Sequence, residues 1–242
     1  MNQDRAARVW SSIVECARRE AAALSLRHAC LACAEAVSAD AAVLLLTSSL
    51  QTGHLVFATN PLGEELVELQ TTSGQGPALD AAGGFGPVLV PDLASAESRA
   101  RWPGYAPEAV RAGARAQFSI PLRIGAVRVG ALDLHRREAR DLTPDALADT
   151  IVYADAALAI VLDSRAGTNG GESGETFFGH GAELHQAAGM VSVQLGVPVG
   201  EAMVRLRAHA YARGERLGAV AKAVVQRRLR FAPSDKSEGE HR

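Results

Sequence analysis

The C-terminal fifty residues differ from the rest of this 242-residue chain in both pattern and charge. Small and apolar residues recur there at helical spacing in three short runs, residues 184–190, 201–210 and 216–221. Residues 181–231 hold eight basic and three acidic side chains, a surplus of five positive charges, whereas the whole chain carries −2. The sequence therefore predicts a small basic helical module on an acidic body. Such a module suits an anionic partner, and nucleic acid is the first candidate.

Length and composition allow one medium domain and one small domain, because 48% of the residues are hydrophobic. No apolar stretch approaches the roughly 20 residues of a membrane helix, and the stretch at residues 41–46 has the size of a strand. The N-terminus lacks a signal-peptide pattern. Three cysteines in a chain of this size argue against a disulfide scaffold. These features predict a cytoplasmic protein without membrane association.

Periodicity before the basic module predicts an α+β fold with an antiparallel sheet. Residues 5–37 have the spacing of a helix that is broken near Leu24 and Ser25, and Thr143 with Pro144 marks the start of a helix to about residue 163. Between them a loop-rich centre separates two pairs of strands. Strands are predicted at 42–47, 55–59, 88–90, 116–123 and 126–135, and short helices at 64–70 and 107–112.

Two loops and a strand pair of this first part are similar to the GAF domain. The strand pair is residues 119–134, and the loops are residues 74–80 and 87–93. The resemblance implies an α+β GAF domain over residues 1–163, with helices flanking an antiparallel sheet. GAF domains hold small molecules between sheet and covering loops, or serve only as dimerisation platforms. The resemblance therefore implies a small-molecule ligand or a homodimer, and assigns no ligand-binding residue.

The basic segment, residues 181–231, resembles the ANTAR domain, an all-α, three-helix RNA-binding module of bacterial transcription antiterminators. The matching residues on the three helices are Leu184, Ala187 and Gly189; Ala202, Leu206, Arg207 and Ala210; and Leu217, Val220 and Ala221. Two positions depart from the family pattern. Ala188 stands where the family usually has a basic residue, and residues 198–200 replace the usual polar cap.

A GAF domain followed by an ANTAR domain is the arrangement of actinobacterial transcription antitermination regulators. The resemblance implies a cytoplasmic, dimeric regulator whose first domain senses a signal and whose module binds hairpin loops of leader transcripts. Between the two we expect a flexible glycine-rich linker at residues 164–180, and after them a disordered tail at 232–242. The residues expected to contact RNA are Gln186, Arg207, Arg213 and Arg216, with Ala188 and Gly189 as close-approach positions.

Two other functions stay open at this point. The three helices could form a DNA-binding helix-turn-helix, but the turn at residues 195–200 is long and contains a proline, and the recognition helix would be alanine-rich. Alternatively, the basic face could dock an acidic protein partner.

The sequence predicts no catalytic residue, metal site or cofactor, and hence no enzyme. Cys30 and Cys33 form a CxxC pair near His28, but they lie in an alanine-rich helical pattern without a second ligand pair, which favours buried core thiols. The loop at residues 74–77 lacks the lysine of a phosphate cradle and is expected to be a turn bordering the ligand pocket. Asp133 and His135 are expected at the surface or at a pocket rim.

Overall fold

The structure, a computed structural model, describes residues 3–47, 53–84, 86–166 and 173–232. By its internal contacts the chain divides into two compact units, Met1–Gly174 and Glu175–Arg242. Each unit has its own architecture. The first contains the sheet, and the second consists of helices.

The first unit has helices and strands close to the positions that the sequence predicts. In chain order they are α1 (Gln3–Arg19), α2 (Leu26–Ala36), β1 (Ala41–Thr47), β2 (Gly53–Ala58), α3 (Pro61–Ser73), α4 (Pro77–Gly83), β3 (Val88–Val90), α5 (Ala96–Arg101), α6 (Ala106–Ala112), β4 (Ala116–Ile124), β5 (Val127–Arg136) and α7 (Pro144–Ala166).

The five strands form one antiparallel sheet in the order β2-β1-β5-β4-β3. The central strand is β5, and its Asp133 lies opposite Val43 of β1 and Ser119 of β4. Alternate residues of a strand point to opposite faces. One face packs against α3 and α4, and the other packs against α2 and α7, while α1 packs on α2 and α7.

Local capping explains where the flanking helices begin and end. Asn60 accepts a hydrogen bond from the Gly63 backbone N–H at 3.1 Å and starts α3, which ends at the left-handed Gly74 (φ 67°). Thr143 caps α7 through the Ala146 N–H at 3.1 Å, as predicted. The predicted break near Leu24 and Ser25 is confirmed, since α1 ends at Arg19 and Ser25 caps α2.

The centre of the first unit contains more helix than the predicted loop. Gly76 and Pro77 start α4, and α5 follows β3. The Asp80 carboxylate of α4 accepts hydrogen bonds from the guanidinium of Arg101 (2.8 and 3.1 Å) and the indole N–H of Trp102 (3.2 Å). Because these contacts join residues about twenty positions apart, short-range patterns in the sequence do not reveal them.

Up to residue 232, where its description ends, the second unit consists of three helices: α8 (Ser173–Leu195), α9 (Val199–Arg213) and α10 (Leu217–Val225). Each helix buries one stripe at three- and four-residue spacing. The buried residues are Leu184, Ala187, Ala188 and Val191; Ala202, Met203, Leu206 and Ala210; and Leu217, Val220, Ala221 and Val224. Helices α9 and α10 pack against each other, and the left-handed Gly214 (φ 62°) ends α9.

The stretch at residues 164–180, predicted as a flexible linker, is helical at both ends, in the last turn of α7 and the first turns of α8. Residues 167–172, and almost all of the predicted tail at 232–242, lie outside the described residues. In the described part of the chain no single helix is long and apolar enough to cross a membrane; Glu183–Leu195 and Val199–Arg213 meet that test only together, across a bend of 103°.

Replacing Gly130 of β5 by alanine is expected to destabilise the first unit. A Cβ atom at this position would lie 2.0 Å from the Leu45 carbonyl oxygen of the neighbouring strand, so the backbone of the sheet would have to shift. We expect a loss of about 1–3 kcal/mol in the free energy of unfolding, measured by denaturant titration followed by circular dichroism. The control is Gly83→Ala, where a Cβ meets nothing within 4 Å. Equal midpoints for the two variants would contradict the close approach.

Candidate functional site

A buried carboxylate lies at the centre of the sheet, on the face that packs against α3 and α4. Asp133 is fully buried, and its oxygens accept hydrogen bonds from three side chains, two on β4 and one on α3. Gln117 Nε2 donates to Oδ1 and Oδ2 at 3.0 and 2.8 Å, Gln70 Nε2 donates to Oδ2 at 3.2 Å, and Ser119 Oγ donates to Oδ1. These donors offset the cost of removing the charge from water.

His135, two residues further along β5, points to the same face and is also fully buried. Its Nε2 lies 3.0 Å from Asp133 Oδ2, the distance of an ion pair, but it is not aligned for a hydrogen bond. Its Nδ1 finds no hydrogen-bond partner among the described residues. The imidazole therefore keeps unused hydrogen-bonding capacity inside the domain.

Tyr105 and Gln70 connect this cluster to the covering helices. The Tyr105 hydroxyl donates to Gln117 Oε1 at 2.7 Å, and burial together with the charge of Asp133 raises the pKa of this tyrosine well above its usual value. Gln70 of α3 uses its Oε1 to accept from the Ala78 N–H of α4 at 2.8 Å. We name the six residues the polar cluster: Gln70, Tyr105, Gln117, Ser119, Asp133 and His135.

The expectation that Asp133 and His135 lie at the surface or at a pocket rim was wrong, because β5 is the central strand and both of its faces are covered. The sequence also gave no role to Gln70 or Tyr105. A usable signal was present: Gln117 and Ser119, like Asp133 and His135, are polar residues spaced by two within otherwise apolar strands. This spacing puts four polar side chains on one sheet face.

The loop at residues 74–77 is a turn that joins α3 to α4, as predicted. Its Gly76 has a φ of 141°, and a Cβ there would lie 2.3 Å from Gln70 Oε1. Gln75 Oε1 accepts a hydrogen bond from the Gly104 N–H at 2.9 Å. The turn thus borders the polar cluster through Gln70.

The CxxC pair consists of buried free thiols, which confirms the core interpretation. Cys30 and Cys33 are fully buried, Cys16 is buried, and none forms a disulfide. Burial raises the pKa of Cys30 to about 12 and the pKa of Cys33 well above its usual value. His28 uses its Nδ1 as a partner of Ser25, and within the described ranges no group of three His, Cys, Asp or Glu residues could hold a metal ion.

In the second unit, most of the residues expected to contact RNA are accessible. Gln186 on α8 is exposed, and so are Arg213 at the end of α9 and Arg216 at the start of α10; Gly189 is partly exposed. Neither Arg213 nor Arg216 has an ion-pair partner in the described part of the chain.

Ala188 differs from the expectation for a close-approach position. It is fully buried, and together with Leu184, Ala187 and Val191 it forms the buried stripe of α8. A buried methyl group has no free surface for an RNA backbone, so the prediction for this residue was wrong. The small side chain at this position permits close packing instead.

Arg207 is half-buried rather than turned fully to solvent, because its position on α9 adjoins the buried stripe. Its Nε and Nη2 have no hydrogen-bond partner among the described residues, and burial lowers the pKa of the guanidinium. Arg205, on the other side of the helix, is engaged by Glu201 at 3.0 Å. These two nitrogens of Arg207 are themselves buried in the packing of the unit, whereas Arg205 is held at the surface by its acidic neighbour.

Solved structures identify the fold of the sheet-containing unit. The GAF domain of an Acinetobacter phosphoenolpyruvate-protein phosphotransferase is 14% identical, with a TM-score of 0.50 over 68% of this chain and 94% of that chain. The GAF domain of the corresponding Coxiella burnetii enzyme is 17% identical, with a TM-score of 0.49 over 66% and 96%. A phycocyanobilin-bound GAF domain from a cyanobacterial phytochrome is 13% identical, with a TM-score of 0.43 over 67% and 98%.

No family model and no curated protein matches the sequence. The likeness to the Acinetobacter GAF domain, with its TM-score of 0.50, therefore carries the assignment, and it shows the fold alone. The first unit has the GAF fold, as the resemblance of its loops and strands predicted.

Replacing Asp133 by asparagine is expected to destabilise the first unit. The amide would direct an N–H group at Gln117, Gln70 or Ser119, which already donate, so at least one buried donor would lose its acceptor. The expected loss in the free energy of unfolding is about 1–3 kcal/mol, measured by denaturant titration. Asp141→Asn, at an exposed position, serves as the control. Unchanged stability of the Asp133 variant would show that the carboxylate does not hold the cluster together.

The buried thiols are expected to react only when the chain unfolds. At pH 8 the folded protein should react with a thiol reagent far more slowly than the protein in guanidinium, where all three cysteines become accessible. Because folding raises the pKa of Cys30 from 9.0 to about 12, its contribution to stability is complete below pH 9 and is lost as the pH rises through that interval. Fast reaction of two thiols in the native protein would instead favour a redox pair.

Proposed function

We propose that this chain is a transcription antitermination regulator, in which a three-helix module of the ANTAR type binds hairpin loops of leader RNA under the control of a GAF sensor domain. One observation carries the proposal. The second unit has a surplus of positive charge, and its exposed Arg213, Arg216 and Lys222 have no ion-pair partner among the described residues. Such cations are available to phosphates.

The chemistry of arginine fits this partner. Its planar guanidinium can bind a phosphate through two hydrogen bonds and can stack on an unpaired base. Each phosphate contact releases counterions, so affinity for RNA should fall steeply with salt, whereas docking through apolar contacts would not. Arg213 ends α9 and Arg216 immediately precedes α10, so both cations lie beside the turn between these helices.

For the GAF domain we propose a sensing role, with the polar cluster as the place where a small polar molecule is recognised. The cluster supplies amide, hydroxyl, carboxylate and imidazole groups under α3 and α4, and His135 Nδ1 has no partner in the described part of the chain. A molecule that bonds to the cluster would compete for Gln70, which also holds α4. Binding would therefore alter the contact between α3 and α4.

We propose a homodimer, since a pair of hairpin loops requires two modules. The terminal helices of the first unit offer an apolar surface for it: Trp10 of α1 and Ile151 and Leu162 of α7 are exposed by 37–39%. The proposal assigns no chemical reaction to the chain, and it places the protein in the cytoplasm, where transcripts are made.

The decisive experiment measures binding of the full chain to RNA by fluorescence anisotropy. The probe is an RNA enriched from a pool of two-hairpin RNAs with randomised loops, and the controls keep its stems but scramble the loops, or replace it by duplex DNA. Preference for the intact loops supports the proposal. Equal binding to duplex DNA would favour a helix-turn-helix protein, and no binding to either would favour a protein partner for the basic face.

Replacing Arg213 and Arg216 together by alanine is expected to weaken loop binding and to reduce its salt dependence. If each arginine contacts one phosphate, the slope of log affinity against log salt should fall by roughly 1.4–1.8 in total. Arg205→Ala is the control, because that charge on α9 is engaged by Glu201. It removes one charge and the double variant removes two, so a control effect half as large as that of the double variant would show that net charge alone, and not these two positions, determines binding.

A further inference from the structure

One side of α9 presents an aromatic ring, an aliphatic side chain and an arginine in a row. Val204 is 60% exposed and Tyr211 is 55% exposed, and half-buried Arg207 lies between them in the sequence. At 3.6 residues per turn, positions 204, 207 and 211 fall within about 60° of one another around the helix. We call these three residues the outer stripe.

The opposite flank of the same helix is already occupied. Arg205 forms its ion pair with Glu201, and the His209 ring packs on Phe231 with the ring centroids 5.2 Å apart. On the outer stripe, in contrast, Val204 and Tyr211 are exposed, and two nitrogens of Arg207, Nε and Nη2, are buried without a hydrogen-bond partner among the described residues. The two flanks therefore differ, and the outer stripe is the one whose apolar side chains face solvent.

The composition of the outer stripe fits the face of a nucleobase. A base offers a flat apolar face to an aromatic ring and hydrogen-bond acceptors at its edge, next to an anionic backbone. The ring of Tyr211 suits the face, Arg207 suits the edge or the neighbouring phosphate, and Val204 extends the apolar surface. Because Arg207 Nε and Nη2 are buried in this structure, the guanidinium has to turn outward to meet these acceptors, and in doing so it would gain partners that its buried nitrogens lack.

Small residues beside the outer stripe leave room for such a ligand. Gly200, one turn before Val204, would meet nothing within 4 Å if it carried a Cβ atom, and Ala208 is exposed. A nucleotide can therefore approach the helix without a bulky side chain in its way.

We propose that Tyr211 stacks on an unpaired base of the RNA loop, with Arg207 binding the edge or phosphate of the same nucleotide. This proposal rests on the proposed function and adds a contact of a different kind from the phosphate contacts of Arg213 and Arg216. It makes the module select an extruded base, and it makes part of the affinity independent of salt.

The test compares Tyr211→Ala and Tyr211→Phe in the full chain, with the loop-selected RNA and with versions in which each loop nucleotide in turn is abasic. Because the Tyr211→Ala variant lacks the stacking ring, it should bind the intact RNA about 5- to 100-fold more weakly than the original protein does. The phenylalanine variant should stay close to the original protein, and the salt slope should not change in either variant. Tyr211 is exposed, so far-UV circular dichroism should be unaltered.

If Tyr211 stacks on one base, the effects of removing the tyrosine ring and of removing that base should not add. At the stacked nucleotide, the abasic substitution should weaken the original protein strongly and the Tyr211→Ala variant very little further. Unchanged affinity of the Tyr211→Ala variant, or additive effects at every loop position, would overturn the stacking while leaving the proposed function intact. Failure of the original protein to distinguish intact from scrambled loops would overturn both.

Discussion

The buried carboxylate of Asp133 is the constraint on which the GAF unit depends. A charge at the centre of a sheet, covered on both faces, is stable only when nearby donors replace its water. Gln117 and Ser119 donate from β4, and Gln70 donates from α3. Strand register and helix position must therefore be correct at the same time, because a slip of one residue would turn the polar side chains of β4 to the opposite face.

The second unit is built differently. Its interior consists largely of small apolar side chains, and its charged side chains lie at the surface. Alanines fill much of its buried stripes, including Ala188, Ala202 and Ala210. Interiors of this kind bring helices close together and leave long side chains such as Arg213 on the outside. Ala188 was expected to let RNA approach closely because its side chain is small, but it is buried, and its small size serves packing.

Sequence patterns located the sheet, the long helices and the turn at residues 74–77, because strand alternation, proline, glycine and capping residues act over short distances. They also identified the thiols of Cys30 and Cys33 as buried. Patterns did not reveal the polar cluster, since it joins Gln70 to a strand some sixty residues later, nor helix α4, whose Asp80 is held by partners beyond β3. The half-burial of Arg207 likewise depends on packing that helical spacing does not encode.

Gln70 links the polar cluster to helix α4, so a change at the cluster is transmitted to that helix. Its amide has a donor end and an acceptor end, and the two ends serve different elements: Nε2 bonds to Asp133, and Oε1 bonds to the Ala78 N–H of α4. Turning the amide over would bring oxygen against carboxylate and N–H against N–H, so only one orientation is compatible with both neighbours. The two hydrogen bonds of the Gln70 side chain are therefore coupled, and a molecule that displaces it from the carboxylate also releases the first turn of α4.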